Sequence, residues 1–182
     1  MQYSIWQGHT IRLRAMEPED ADWFHRFIQD DEVTQHIQQI DFPHSKETVR
    51  RQIEHEETRN DHAYQWIAEN REGTRIGLIF TYDCDPRAGT FSYGIALHRE
   101  RWGKGYAVEM IKLVLVFYFF ELRYQKVNAK VYSFNDRGIR LHAKLGFTKE
   151  GALRRMVYTS GQYHDLLCYG MTREEFEAIF PG

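Results

Sequence analysis

The sequence predicts a mixed α/β domain, and three observations carry that expectation. Segments where apolar and polar residues alternate with a period of two mark strands, as at Thr10–Ala15 and Lys126–Tyr132. Segments with apolar residues three and four apart mark helices, as at Trp23, Phe24, Phe27 and Ile28. The resulting order, β-α-α-β-β-β-α-β-α-β-β, is neither a regular β-α repeat nor an all-antiparallel series.

Each element has a local reason. Ile11 and Leu13 alternate with Arg12 and Arg14 to make the first strand, over Thr10 to Ala15. Glu17-Pro18-Glu19-Asp20 starts a helix, with proline early and acids in the first turn. Ser45 caps a second, highly charged helix that runs to about Arg59. Tyr64–Glu69 and Arg75–Tyr82 are strands joined by the turn Asn70-Arg71-Glu72-Gly73. Asp85-Pro86-Arg87-Ala88-Gly89 turns into a strand that ends near Leu97. An apolar helix follows from about Lys104 to Leu122. The strand Lys126–Tyr132 puts Val127, Ala129 and Val131 on one face. A helix from Asn135 to Lys144 is stopped by Gly146. Phe147–Tyr158 and Gln162–Met171 form a closing hairpin around Ser160-Gly161.

A length of 182 residues, with no repeat, linker or low-complexity tract, is read as one domain over residues 1–182. A net charge of -2 gives no electrostatic reason to expect nucleic acid as a partner. The two cysteines, Cys84 and Cys168, form no zinc or disulfide pattern, which fits a reducing cytoplasm. None of the nine histidines sits in an H-E-x-x-H spacing, so the sequence implies no metal. The N-terminus has no basic-then-apolar signal region. The apolar stretch from Tyr106 to Phe120 is interrupted by Glu109 and Lys112 and is shorter than the roughly twenty residues of a membrane span. It is read as a helix buried against a sheet.

The most informative segment is Trp102-Gly103-Lys104-Gly105-Tyr106-Ala107, set between the strand Phe91–Leu97 and the apolar helix. A turn with two glycines leaves backbone N–H groups free at a helix N-terminus, where phosphates bind well. The spacing is not G-x-x-x-x-G-K-[ST], and the third glycine of the dinucleotide fingerprint is missing.

Three motifs then occur in order. His98–Met110, HRERWGKGYAVEM, is similar to a [QR]-x-x-G-x-[GA] pyrophosphate loop. Asn135–Phe147, NDRGIRLHAKLGF, is similar to a helix and turn of the form N-x-x-x-x-x-[LY]-Y-x-x-x-G-F. Glu150–Met171 resembles a C-terminal hairpin with a G-x-x-x-D run at Gly161 to Asp165. Together they resemble the GNAT superfamily of acetyl-CoA-dependent N-acetyltransferases, in the branch of ribosomal-protein N-terminal and spermidine acetyltransferases. The resemblance implies a mixed, mostly antiparallel central sheet with a splayed strand pair, flanked by helices. It implies acetyl-CoA as co-substrate and direct attack by a primary amine, which is a protein N-terminus, a polyamine or a small amine.

By that resemblance, the backbone of Ile95, Ala96 and Leu97 pairs with the pantetheine arm. The amides of Trp102, Gly103, Lys104, Gly105, Tyr106 and Ala107 hold the pyrophosphate. Asn135 contacts the cofactor, a role compatible with capping its helix. Two positions depart from the pattern. Trp102 replaces a Gln or Arg, and His142 stands where the family often has a tyrosine acting as general acid. His142 lies seven residues after Asn135, close to two helical turns, with Gly138 near the same stripe and able to leave space for the thioester. The expectation is that an imidazolium at His142 protonates the leaving thiolate, provided its pKa is not depressed; the alternative is a buried histidine without a chemical role.

No general base emerges. The position of a family glutamate is Ser92, and Glu69, Asp83 and Glu150 are unranked candidates, each also readable as a surface carboxylate. Asp30, Asp31, Glu32 and Asp41 either attract a cationic acceptor or form a solvated helix end. Asp165 borders the acceptor site or makes a hairpin contact. The departures leave a rival reading, a catalytically silent acyl-CoA-binding sensor. Some relatives form homodimers, which the 15% aromatic content permits.

Overall fold

The computed structural model describes residues 4–34, 42–56 and 62–181. Alternating segments pair into one seven-stranded sheet, ordered β1-β2-β3-β4-β5-β7-β6. The strands are β1 (Ile11–Ala15), β2 (Gln65–Asn70), β3 (Arg75–Asp85), β4 (Thr90–Leu97), β5 (Lys126–Tyr132), β6 (Thr148–Thr159) and β7 (Gln162–Thr172). Every neighbouring pair is antiparallel except β4 and β5. This is the mixed, mostly antiparallel sheet that the resemblance implied.

The parallel pair does not run its full length. Pairing goes from Thr90–Lys126 to Tyr93–Ala129 and stops, although β4 continues to Leu97 and β5 to Tyr132. On its other side β4 stays in register with β3, from Phe80–Gly94 to Gly77–Leu97. The His98 N–H donates to the Ile76 carbonyl at 3.0 Å. Hydrogen-bonding sides alternate along an antiparallel ladder, so Gly94 and Ala96 also bond to β3. Ile95 and Leu97 therefore turn their backbone groups toward the gap. The expected splay is this gap.

Helices cover both faces. α1 (Ala21–Ile28), α2 (Asp31–Thr34) and α3 (Lys46–Glu56) lie on one side, where Phe27 and Val33 pack with Leu78 and Ala96, and Val49 and Ile53 with Ile67. α4 (Tyr106–Val116) and α5 (Asp136–Leu145) lie on the other, with Met110, Ile111, Val114 and Leu115 against Ile79, Phe91 and Leu97. Caps set the boundaries. The Ser45 hydroxyl accepts from the Thr48 N–H at 3.1 Å, and Gly146 ends α5 at φ 84°. The expected extension of α3 to Arg59 lies outside the described residues, as does Asp41.

Three local readings are corrected. Pro18–Asp20 is a 3-10 turn before α1, because the Asp20 carboxylate folds back onto the Glu17 N–H at 2.9 Å. α2 and a closing helix α6 (Arg173–Ile179) were not expected; a four-residue helix is too short to show a period, and α6 is held by reciprocal caps between Thr172 and Glu175. The long helix changes at Val116 into a π turn, Phe117–Glu121, which buries Tyr118 and Phe119. There the Tyr118 ring stacks on Phe91 at 4.1 Å, and its hydroxyl meets Thr81 Oγ1 at 2.7 Å and donates to the His62 carbonyl.

Candidate active site

The gap between β4 and β5 opens into a cavity of about 550 Å³. Its walls come from β4, β5, the glycine loop and one side of α5. Gly103 (φ 75°) and Gly105 (φ 84°) hold the loop in left-handed conformations. A side chain there would be strained, although a Cβ at either would meet nothing within 4 Å. Gly105 is the N-cap of α4 and supplies no side-chain cap, so the first-turn amides are left to a ligand.

Trp102 fastens this loop. Its indole N–H donates to the Leu97 carbonyl at 2.9 Å, and the Arg137 guanidinium lies 3.5 Å from its ring centroid. The residue that departs from the family pattern thus links the end of β4 to α5. Trp102→Ala removes one hydrogen bond and one cation–π contact, about 1 kcal/mol each. It is expected to raise the acetyl-CoA Kd roughly 30-fold, a change that calorimetric titration would measure.

Ile95, Ala96, Leu97, Trp102, Gly103, Gly105, Tyr106, Ala107, Asn135 and His142 all line the cavity. The Lys104 side chain is exposed and does not line it. Asn135 caps α5 through Oδ1, which accepts from the Gly138 N–H at 2.9 Å. Gly138 lines the cavity, but its missing side chain does not make room for a thioester. A Cβ there would lie 2.8 Å from Asn135 Nδ2 and 2.9 Å from Val131 Cγ1, so glycine lets α5 approach β5.

His142 is 4% exposed. Its Nδ1 is 2.7 Å from the Gly138 carbonyl and its Nε2 is 2.8 Å from the Tyr93 hydroxyl. The ring lies between those of Tyr93 and Tyr169, with Phe147 edge-on at 5.0 Å. Burial pushes the His142 pKa below its ordinary value, against a smaller opposite effect of the Gly138 carbonyl. Desolvation therefore favours the neutral ring at neutral pH, so an imidazolium at His142 is not the resting form and would have to arise during the reaction. Sequence reasoning missed Tyr93. The alternation Phe91, Tyr93, Ile95, Leu97 placed it on an inward face, but its partner is 49 residues away.

The carboxylates considered as bases are engaged elsewhere, and none lines the cavity. Glu69 is buried between Arg12 and Arg14, each within 2.7 Å. Asp83 faces Lys130 at 3.4 Å, and Glu150 faces Lys126 at 2.6 Å. Ser92 is buried. Asp30 and Glu32 pair with Arg99 at 3.1 and 2.7 Å, which neutralises much of the acidic cluster. Asp165 accepts from the Arg155 N–H at 2.9 Å, a contact within the hairpin. No helix among the described residues is long and apolar enough to cross a membrane.

Comparison with known proteins agrees with this geometry. The profile of the acetyltransferase (GNAT) domain matches residues 10–148. The chain is 45% identical over 177 residues to the SPbeta prophage-derived uncharacterized N-acetyltransferase YokL of Bacillus subtilis, covering 97% of this chain and 98% of that protein. It is 23% identical over 160 residues to the spermidine N(1)-acetyltransferase of Escherichia coli K12, covering 88% and 84%. Among solved structures, the spermidine N-acetyltransferase of Vibrio cholerae in complex with CoA and spermine superposes with a TM-score of 0.83 at 21% identity, over 91% of this chain and 97% of that one. These relatives support acetyl transfer and not the silent sensor. The chain belongs to the GNAT family and is an acetyl-CoA-dependent N-acetyltransferase that transfers acetyl to an amine.

Proposed function

We propose that acetyl-CoA lies in the β4–β5 gap and that the acceptor is a primary amine reaching it from the side of α1 and α2. The interrupted parallel ladder carries this reading. Ile95 offers its N–H and carbonyl, and Leu97 its N–H, to a pantetheine arm; the Trp102 N–H already donates to the Arg99 carbonyl at 3.1 Å, so the loop amides from Gly103 to Ala107 are the ones that suit the pyrophosphate. Asn135 has its Oδ1 committed to the helix and keeps Nδ2 as a donor for the cofactor. His142 is the cavity's imidazole and handles the proton of the reaction.

The charged residues among the described lining are Arg101, Lys130, Arg137 and Lys144, all cations. Phe80, Tyr82, Tyr132 and Leu166 add an apolar and aromatic surface. Lys130 pairs with Asp83 and Arg137 with Glu32, and the remaining cations suit the phosphates of the cofactor; the aromatic surface suits an acceptor with one amine on an apolar body, such as a peptide N-terminus or a small arylalkylamine.

Thiol release from acetyl-CoA against spermidine, spermine, short peptides, aminoglycosides and arylalkylamines tests this. The expected result is turnover, with kcat/KM at least tenfold higher for a monoamine than for spermidine. Preference for spermidine would overturn the acceptor class; no turnover on any amine would overturn the reading as a whole.

A further inference from the structure

We propose that Tyr93 and His142 form a proton shuttle that carries the proton lost by the acceptor nitrogen to the sulfur of the departing coenzyme A. The proposal rests on the acetyl-transfer reading above. It begins with a constraint from the backbone. The Gly138 carbonyl can only accept, so the Nδ1 atom 2.7 Å from it carries a hydrogen. In the neutral ring Nε2 is then an acceptor, and the Tyr93 hydroxyl at 2.8 Å donates to it. The phenol oxygen keeps its lone pairs for a proton arriving from the cavity, which both side chains line.

The position suits the chemistry. Leu97, Ile95 and Tyr93 are successive residues on one side of β4, and Tyr93 is the last β4 residue paired to β5. An arm that enters at the α4 N-terminus and follows Leu97 and Ile95 brings its thioester to Tyr93, where the gap closes.

Among the described residues that line the cavity, no other group is suited to take the proton. Around His142 stand Tyr93 from β4, Tyr169 from β7, Phe147 after α5 and the Gly138 carbonyl of its own helix. The wider cavity adds Arg101, Lys130, Arg137, Lys144, Tyr82, Tyr106 and Tyr132, and no carboxylate among the described residues. Burial pushes Tyr82 up to about 12 and raises Tyr93 and Tyr132 as well, so these phenols stay protonated.

The steps balance. The amine nitrogen attacks the thioester carbon, and the C–N bond forms. The nitrogen gives its extra proton to the Tyr93 oxygen while the Tyr93 proton moves to His142 Nε2. The imidazolium is held through Nδ1–H on the Gly138 carbonyl. The C–S bond then breaks with its electron pair on sulfur. The proton returns through Tyr93 to the thiolate, whose ordinary pKa near 8.5 exceeds that of a buried imidazolium. Amide and thiol leave, and the pair is restored.

The test is Tyr93→Phe with the best acceptor of the amine panel, followed across pH. The expected result is a kcat about 100-fold lower, with the acetyl-CoA Kd within a factor of two. In the wild type, kcat should fall as pH drops through a value below 6.5, and this limb should vanish in Tyr93→Phe. Nitrogen-15 NMR of the imidazole gives a readout independent of turnover and should report hydrogen on Nδ1. An unchanged kcat, a retained acid limb, or hydrogen on Nε2 in the neutral ring would overturn the shuttle while leaving acetyl transfer standing. No transfer to any amine would overturn both.

Discussion

Asp20→Ala is expected to destabilise the protein by about 3–5 kcal/mol, the usual cost of removing one partner from a buried ion pair. Asp20 accepts from Arg14 Nη1 and Nη2 at 2.7 and 2.9 Å, from Arg75 Nε at 2.7 Å and from the Glu17 N–H. Arg14 also donates to Glu69, which Arg12 holds from the far side. Burial pushes the Asp20 carboxyl up, but hydrogen bonds from Arg14 and the Glu17 amide outweigh it and leave the pKa lowered. Glu69 behaves alike, with burial opposed and outweighed by Arg14 and Arg12. A carboxyl with a depressed folded pKa contributes stability that is present above its unfolded value and lost as pH falls through the folded one. The wild type should therefore weaken below about pH 4, and Asp20→Ala should flatten that dependence. Urea unfolding between pH 7 and pH 3 measures both, and an unchanged midpoint at pH 7 would rule the network out as a stabilising element.

Gly105→Val is expected to raise the acetyl-CoA Kd about 100-fold or more, against the roughly 30-fold expected for Trp102→Ala. Gly105 sits at φ 84° with open space where a Cβ would project. A branched residue there pays about 1–2 kcal/mol for the left-handed backbone. It also moves the α4 amides from the pyrophosphate; two lost charge-assisted hydrogen bonds at about 1.5 kcal/mol each give the 100-fold loss. Calorimetric titration checks the affinity and a melting curve separates it from strain. Tight binding by the variant would mean that the phosphates sit elsewhere.

Where period and turn chemistry were strong, the sequence was legible. β5 falls on Lys126–Tyr132 as expected, α5 starts at its Asn135 cap and stops at Gly146, and the last two strands turn at Ser160-Gly161. The glycine loop was legible because left-handed turns before a helix have few solutions. Long-range pairing was not. Nothing near Glu69 in the sequence says that it is enclosed by two arginines more than fifty residues away. The surroundings of His142 were hidden for the same reason: its helix face and the Gly138 carbonyl one turn back were readable, but the Tyr93 phenol reaches it from β4, 49 residues away.

The short parallel ladder has one more consequence. Among the described residues, strands β1–β4 and strands β5, β7 and β6 share ladder hydrogen bonds only across the four pairs from Thr90–Lys126 to Tyr93–Ala129. A cofactor lying in the gap would continue that seam and act as a stitch between two sheet halves. The Tyr132 amide, which faces the gap while its neighbour Val131 faces β7, should then exchange with solvent quickly in the free enzyme and slowly once acetyl-CoA is bound, in step with the added stability that ligation gives.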